Sequence, residues 1–161
     1  MSSLIFQIRQ KFLEKAINFY GPYLGAGVKL EKLTKDNRYA KVSMPLTFYN
    51  KNYMGTQFGG SLYSMVDPWY MLMLIKNLGR DYIVWDKGAT IRFKKPGKGT
   101  VTAEFTLTQE VIDEIISEVK RNTKMDKVFK VEIKDKSGTL ICEVDKVVYI
   151  RKKSDKIQNQ V

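Results

Sequence analysis

Gly59-Gly-Ser-Leu-Tyr-Ser-Met-Val-Asp-Pro-Trp-Tyr-Met-Leu-Met-Leu-Ile-Lys-Asn77 decides the fold, because it is long enough for a helix and has almost no polar face to turn to water. Such a helix belongs at the centre of a domain, and Gly79 closes it. Asp67 is the only charged side chain between Asn52 and Ile75. A lone carboxylate among apolar residues is costly to desolvate, and chains mostly keep one where it has chemistry to do. Pro68 complicates this, since proline lacks an N–H and disfavours helical geometry in the residue before it. The helix is therefore expected to kink or stop at Asp67, and a capping role at that break is the structural alternative to catalysis.

Outward from this segment the pattern is mostly strand. Upstream, Leu4, Ile5, Ile8, Phe12, Ala16, Ile17 and Tyr20 recur at helical spacing, predicting an amphipathic helix that ends at Gly21-Pro22. Strands are expected near Val28 to Leu33 and Tyr39 to Met44, with Asp36-Asn37 as their turn. Downstream, Ala89, Ile91 and Phe93 alternate with polar residues, as do Val101, Ala103, Phe105 and Leu107; Pro96-Gly97-Lys98-Gly99 reads as the hairpin turn between them. Val111, Ile112, Ile115, Ile116 and Val119 form a helical stripe, and a strand pair, Val128 to Lys134 and Leu140 to Ile150, follows around Ser137-Gly138. Alternation slips at Asp145-Lys146, which predicts a bulge there.

About six strands in antiparallel pairs around one uncharged helix describe an α+β fold in which a curved sheet wraps a helix, the hot-dog arrangement. Other α+β layouts remain open but normally leave one helix face wet. With 161 residues, 43% of them apolar, one domain over residues 1–150 is expected, with a basic tail at 151–161.

Histidine is absent, which excludes hydrolases that need imidazole as base or metal ligand within one chain. The single cysteine, Cys142, excludes an internal disulfide and a thiolate metal cage and reads as a core residue. No metal or cofactor set is expected. Carboxylate chemistry survives. The first residues lack a secretory pattern, and Leu62 to Ile75 falls short of the roughly 20 apolar residues of a spanning helix, so a cytoplasmic chain with no membrane span is expected. The net charge of +11 favours anionic partners, but the excess is spread along the chain, unlike many nucleic-acid binders.

In Asn52-Tyr-Met-Gly-Thr-Gln-Phe-Gly-Gly-Ser-Leu-Tyr-Ser-Met-Val-Asp67 the glycines allow a ligand close to backbone, and their N–H groups open a helix, where they suit a developing oxyanion. Asp67 is the candidate general base or nucleophile. At about 1.5 Å per residue it lies roughly 10 Å along the axis from Gly60, beyond the reach of an aspartate. Two antiparallel copies of the helix could bring Gly60 of one opposite Asp67 of the other, so catalysis entails a homodimer with its site at the interface.

This stretch resembles the active-site segment of hot-dog acyl-CoA thioesterases of the phenylacetate-pathway type: an asparagine, then His-Gly-Gly six residues on, then an aspartate. Asn52, Phe58-Gly59-Gly60 and Asp67 match that spacing, and Thr90-Ile-Arg-Phe-Lys-Lys-Pro96 resembles the strand and basic-proline turn that follow. The Asn-Tyr-Met-Gly-Thr start and the extra helices are similar to an uncharacterised subgroup of thioesterase-like proteins, over roughly residues 5 to 150. The resemblance implies a thioester hydrolase, dimeric or a dimer of dimers, in which Asp67 activates water or attacks the thioester. In that scheme the Gly60 N–H polarises the carbonyl and Asn52 orients water or the carbonyl. The chain departs from the pattern with Phe58 in place of histidine and Pro68 in place of a small hydroxyl residue.

Between Asp86 and Glu104 lie five cations, Lys87, Arg92, Lys94, Lys95 and Lys98, and no acid. Arg92, Lys94 and Lys95 could hold coenzyme A phosphates, with Gly59 and Phe58 beside the acyl group. A non-catalytic acyl or acyl-CoA binding protein is the alternative, favoured by Phe58 and Pro68. A nucleic-acid or anionic-surface binder ranks last, and neither nucleic acid nor membrane is expected as a partner.

Overall fold

The computed structural model describes residues 16–153. Its elements are α1 (Gly21–Ala26), β1 (Lys29–Leu33), β2 (Tyr39–Met44), α2 (Gly59–Val66), α3 (Trp69–Leu78), β3 (Tyr82–Phe93), β4 (Val101–Thr106), α4 (Gln109–Asn122), β5 (Lys124–Asp135) and β6 (Leu140–Lys152). The strands form one sheet in the order β1-β2-β4-β5-β6-β3, antiparallel throughout. Leu62, Met65, Val66, Trp69, Tyr70, Met73 and Leu74 of α2 and α3 are buried with inward strand residues such as Val42, Phe105, Val131 and Val144. This is the expected hot-dog arrangement. Aromatic packing marks its centre: the Phe105 ring lies 5.9 Å from Trp69 and 5.6 Å from Tyr70, which stacks on Phe129 at 4.0 Å.

The central segment is two helices, not one. Asp67 (φ −52°, ψ −52°) and Pro68 (φ −85°, ψ −15°) both keep helical dihedrals, so the rod continues across the joint despite the proline rule. The interruption is in the hydrogen bonds: Pro68 has no N–H to donate, while Asp67 N–H still bonds Tyr63 O and Leu72 N–H bonds Pro68 O. Nor is the rod sealed on every side. Gly60, Ser64, Asp67, Met71 and Ile75, three to four residues apart, form a stripe that this chain leaves partly or fully exposed.

Several local expectations are corrected. The expected hairpin around Pro96–Gly99 does not exist: β3 pairs with β6, β4 pairs with β2 and β5, and the turn carries the chain from the sheet edge to its interior. Buried Gln57 fixes that crossover, donating from Nε2 to Met44 O (3.1 Å) and Gly99 O (2.9 Å). No bulge sits at Asp145-Lys146. Burial alternates through Cys142, Val144, Lys146, Val148 and Ile150, so Lys146 simply points inward, and the register shift is on β3 between Asp86 and Gly88. Of the N-terminal stripe, Leu4, Ile5, Ile8 and Phe12 lie outside the described residues; residues 16–18 are helical and that helix stops in a turn at 19–20, as expected, but a second helix begins at once, with Pro22 in its first turn, where a missing N–H costs nothing. β6 runs through Lys152, two residues into the expected tail.

Among the described residues, only β1 and β3 are edge strands. β3 leaves twelve residues without a neighbour on one side, and Trp85 and Phe93 on it are more than half exposed.

Cys142 is fully buried on β6, and burial pushes its thiol up to about 12. A disulfide reagent at pH 8 is expected to label no thiol in the native chain and one in urea, with the labelling rate tracking the unfolding rate. Rapid labelling of the native chain would contradict the packing of β6.

Candidate functional site

The loop leading into α2 is organised by its own side chains. Asn50 is buried and holds Ala26 O and Pro45 O through Nδ2 while Oδ1 accepts from Thr47 N–H. Asn52 is spent on its own turn: Oδ1 accepts from Met54 and Thr56 N–H, and Nδ2 donates to Thr56 Oγ1 (2.9 Å) and Gln57 O (3.4 Å). It shapes the loop; its amide has no capacity aimed at a ligand.

At the start of α2 the two glycines are required by aromatic rings. A Cβ on Gly59 would stand 2.9 Å from Phe93, and one on Gly60 2.5 Å from Phe58, so neither position admits a side chain without moving a ring. Phe58 and Phe93 themselves are largely exposed, unlike core aromatics. Beside them opens a cavity of about 520 Å³ whose walls include Asn52, Gly59, Leu62, Phe93, Lys94 and Lys95. Its lining mixes apolar residues with two lysines.

Asp67 lies at the joint of α2 and α3 on the open stripe, its side chain 46% exposed. Its partner is Lys146 of β6, whose side chain is 1% exposed and whose ammonium is 2.5 Å from Asp67 Oδ1. The same Nζ lies 3.2 Å from Asp86 Oδ2 and donates to Tyr63 Oη at 2.9 Å, sitting 5.1 Å from the Tyr63 ring centroid. All three Lys146 N–H groups therefore have a partner. Burial alone would lower the Lys146 ammonium, but the bonds to Asp67 and Tyr63 and the charges of Asp67 and Asp86 hold it above its ordinary range. Burial raises the Asp86 carboxyl against the opposing effect of Lys146, and one Asp86 oxygen has no partner. The lone acid of the sequence is thus one member of a Tyr63, Asp67, Asp86 and Lys146 cluster that ties the helical rod to β6 and β3.

Spacing along the chain could not reveal Lys146, 79 residues away from Asp67. The signal was a lysine at an inward position of an otherwise apolar alternation, which invited the reading of a bulge. The cation patch is also less free than its sequence implies. Arg92 pairs with Asp145 (2.7 Å), Lys94 with Glu143 (2.8 Å) and Lys87 with Asp126, the first two acids being supplied by β6 and the third by β5. Lys95 forms no ion pair among the described residues and lines the cavity; Arg92 does not line it.

The profile of the family described as Domain of unknown function (DUF4442) matches residues 9–150. The chain belongs to this family. No curated protein matches its sequence. Among solved structures it is similar to a Pseudomonas aeruginosa protein of unknown function described as a probable thioesterase, at TM-score 0.77 and 20% identity over 89% of this chain and 96% of that one. It is similar to a Haemophilus influenzae thioesterase at TM-score 0.66 and 13% identity, over 92% of each chain. A mutant of a Staphylococcus aureus thioesterase aligns at TM-score 0.57 and 17% identity, over 80% of this chain and 97% of that one. At these identities the likeness establishes the fold of this chain alone.

Lys146→Met removes the only cation that pairs with Asp67 and Asp86 among the described residues. It is expected to destabilise the chain by about 3 kcal/mol at pH 7, the lower end for a broken buried pair because Asp67 keeps access to water. Asp86→Asn in the Lys146→Met background should recover part of that loss in urea unfolding. No recovery would mean that lost packing, and not stranded charge, sets the cost.

Proposed function

We propose that this chain hydrolyses an acyl-CoA-like thioester as a homodimer or a dimer of dimers, with each site built at the interface of two helical rods. The observation that carries this reading is Asp67: a half-exposed carboxylate, gripped by a buried ammonium, on a helix stripe that one chain leaves open. The unpartnered twelve-residue β3 beside that stripe supports a second copy as the covering partner, its strand extending the sheet and its rod lying against the first. The thioesterase names of the three solved neighbours support the same chemistry. In this reading residues 1–150 act as one domain with a short basic tail, without metal or cofactor, in the cytoplasm and away from membrane and nucleic acid.

Within that frame Asp67 activates water or attacks the thioester carbon. Its pairing with Lys146 through Oδ1 fixes the direction of the carboxylate, while leaving the second oxygen for water. The Gly60 N–H of the partner subunit polarises the carbonyl as it becomes an oxyanion, a role that needs backbone and no side chain. Asn52 contributes by shaping the loop. Phe58 and Gly59 flank the acyl chain, and Lys94 and Lys95 at the cavity rim take phosphate oxygens, with Arg92 one step farther along the strand. The departures from the phenylacetate-type pattern leave this machinery without an imidazole, so the protonation steps fall to water and Asp67.

A second reading, a non-catalytic acyl or acyl-CoA binder, is favoured by one specific observation. The Phe58 ring lies so close over Gly60 that a Cβ there would stand 2.5 Å from it, just where a thioester carbonyl has to approach. Under this reading the ring caps a bound acyl chain and never gives way.

With a panel of acyl-CoA thioesters and thiol release as readout, Asp67→Asn is expected to lower kcat by roughly 10²- to 10⁴-fold while leaving substrate affinity within a few-fold. Hydrolysis unchanged by this substitution removes the assignment, and saturable binding with no thiol release selects the binder. Sedimentation under assay conditions is expected to give a dimer or larger; a fully active monomer would overturn the interface geometry.

A further inference from the structure

At the end of the sheet away from this cavity, where the last turn of α4 meets the start of β5 and the end of β6, lies a cleft of about 760 Å³. Its walls carry five cations, Lys120, Lys124, Arg151, Lys152 and Lys153, and no acid. Among the described residues none of the five is in an ion pair, although eight other basic side chains are. Asp126, the cross-strand partner of Tyr149, is already taken by Lys87. A helix C-terminus attracts cations, which accounts for Lys120. It does not account for the four cations on and beyond the strands.

Two further observations show a local cost at the cleft. Lys124 and Arg151 are direct cross-strand partners, an arrangement of like charges that destabilises a sheet pair. Thr123, also in the cleft wall, holds φ 63° and ψ −26°, a left-handed conformation that a β-branched residue rarely adopts and that a glycine would take without strain. Like-charge repulsion and backbone strain gathered at one concave place point to an anionic ligand. Half-buried Tyr82 and Tyr149 reach the cleft from opposite faces of the end of the sheet.

We propose that this cleft binds a small molecule carrying an oligophosphate group and an aromatic ring, the chemistry of a nucleoside di- or triphosphate. Clustered ammonium groups and one guanidinium suit several phosphate oxygens at once, and the tyrosines suit a flat ring. A single carboxylate or phosphate would leave most of the charge unmatched. The site is separate from the thioester reading: Arg151 lies five residues beyond Lys146 on β6, roughly 16 Å along the strand, and the two cavities share no lining residue.

Calorimetric titration of the full chain at 0.15 M salt tests this with three probes: ATP, inorganic tripolyphosphate and adenosine. ATP is expected to bind once per chain, tripolyphosphate within about tenfold of it, and adenosine not measurably. K124E/R151E should weaken ATP at least tenfold. K35E/K136E, which makes the same charge change in two distant turns, should leave it within twofold. K120Q, on the helix surface, provides a milder variant and should weaken ATP severalfold. Without ligand at low salt, K124E alone should melt no lower than the parent chain, because it turns a like-charge pair into an opposite one. Equal loss in both charge-reversal variants, no saturable binding of ATP or tripolyphosphate, tighter binding of a single-stranded RNA oligomer than of ATP, or a lower melting temperature for K124E would each overturn the proposal.

Discussion

The apolar surface of the rod from Gly59 to Leu78 has to leave water, and one curved sheet can cover it on only one side. Most of the structure follows from that limit. The inward residues of β2, β4, β5 and β6 close over Leu62, Met65, Trp69, Met73 and Leu74. The remaining stripe, from Gly60 through Asp67 to Ile75, stays at least partly open and holds the only acid of the segment. A charge on that stripe has to be balanced from below, and the balance comes from the sheet: Lys146 projects from β6 between Val144 and Val148, and its ammonium meets Asp67, Asp86 and Tyr63. One buried cation thereby links the rod, the central strands and the edge strand. Replacing such a cluster with apolar side chains can stabilise a protein, so its presence fits a demand for charge at the rod's surface better than a demand for stability.

The layered architecture was legible in the sequence because it rests on local periodicities. Period two in β4, β5 and β6, period near 3.6 in α4, and the apolar run of the rod each survive folding, although β5 begins at Lys124, well before the expected Val128. What was not legible is what depends on pairs distant along the chain. Pro96-Gly97-Lys98-Gly99 has the composition of a hairpin turn, yet nothing local reports that β3 leaves for the far edge and that Gln57, not a strand partner, receives the crossover. In the same way, five cations without an acid looked like a free patch until β6 placed Asp145 and Glu143 beside Arg92 and Lys94.

The candidate site was partly legible for the same reason. Asp67 stood out because its neighbours are apolar, and Gly59-Gly60 because paired glycines open a helix. The structure gives both a physical cause: a buried lysine for the first, and the close rings of Phe93 and Phe58 for the second. Asn52 matched a family spacing, and its contribution is to the shape of the loop. Lys146 was visible only as an irregularity. A charged residue that fits the inward phase of a strand is better read as buried and paired than as a slip in the strand.

The irregular step between Asp86 and Gly88 on β3 has a consequence for how the bare edge meets the outside world. A long straight edge would template any extended chain, whereas a strand with an extra residue at its middle presents a broken row of donors and acceptors. Only a strand with a matching offset can dock along its full length. The edge is therefore poorly suited to runaway stacking into fibrils.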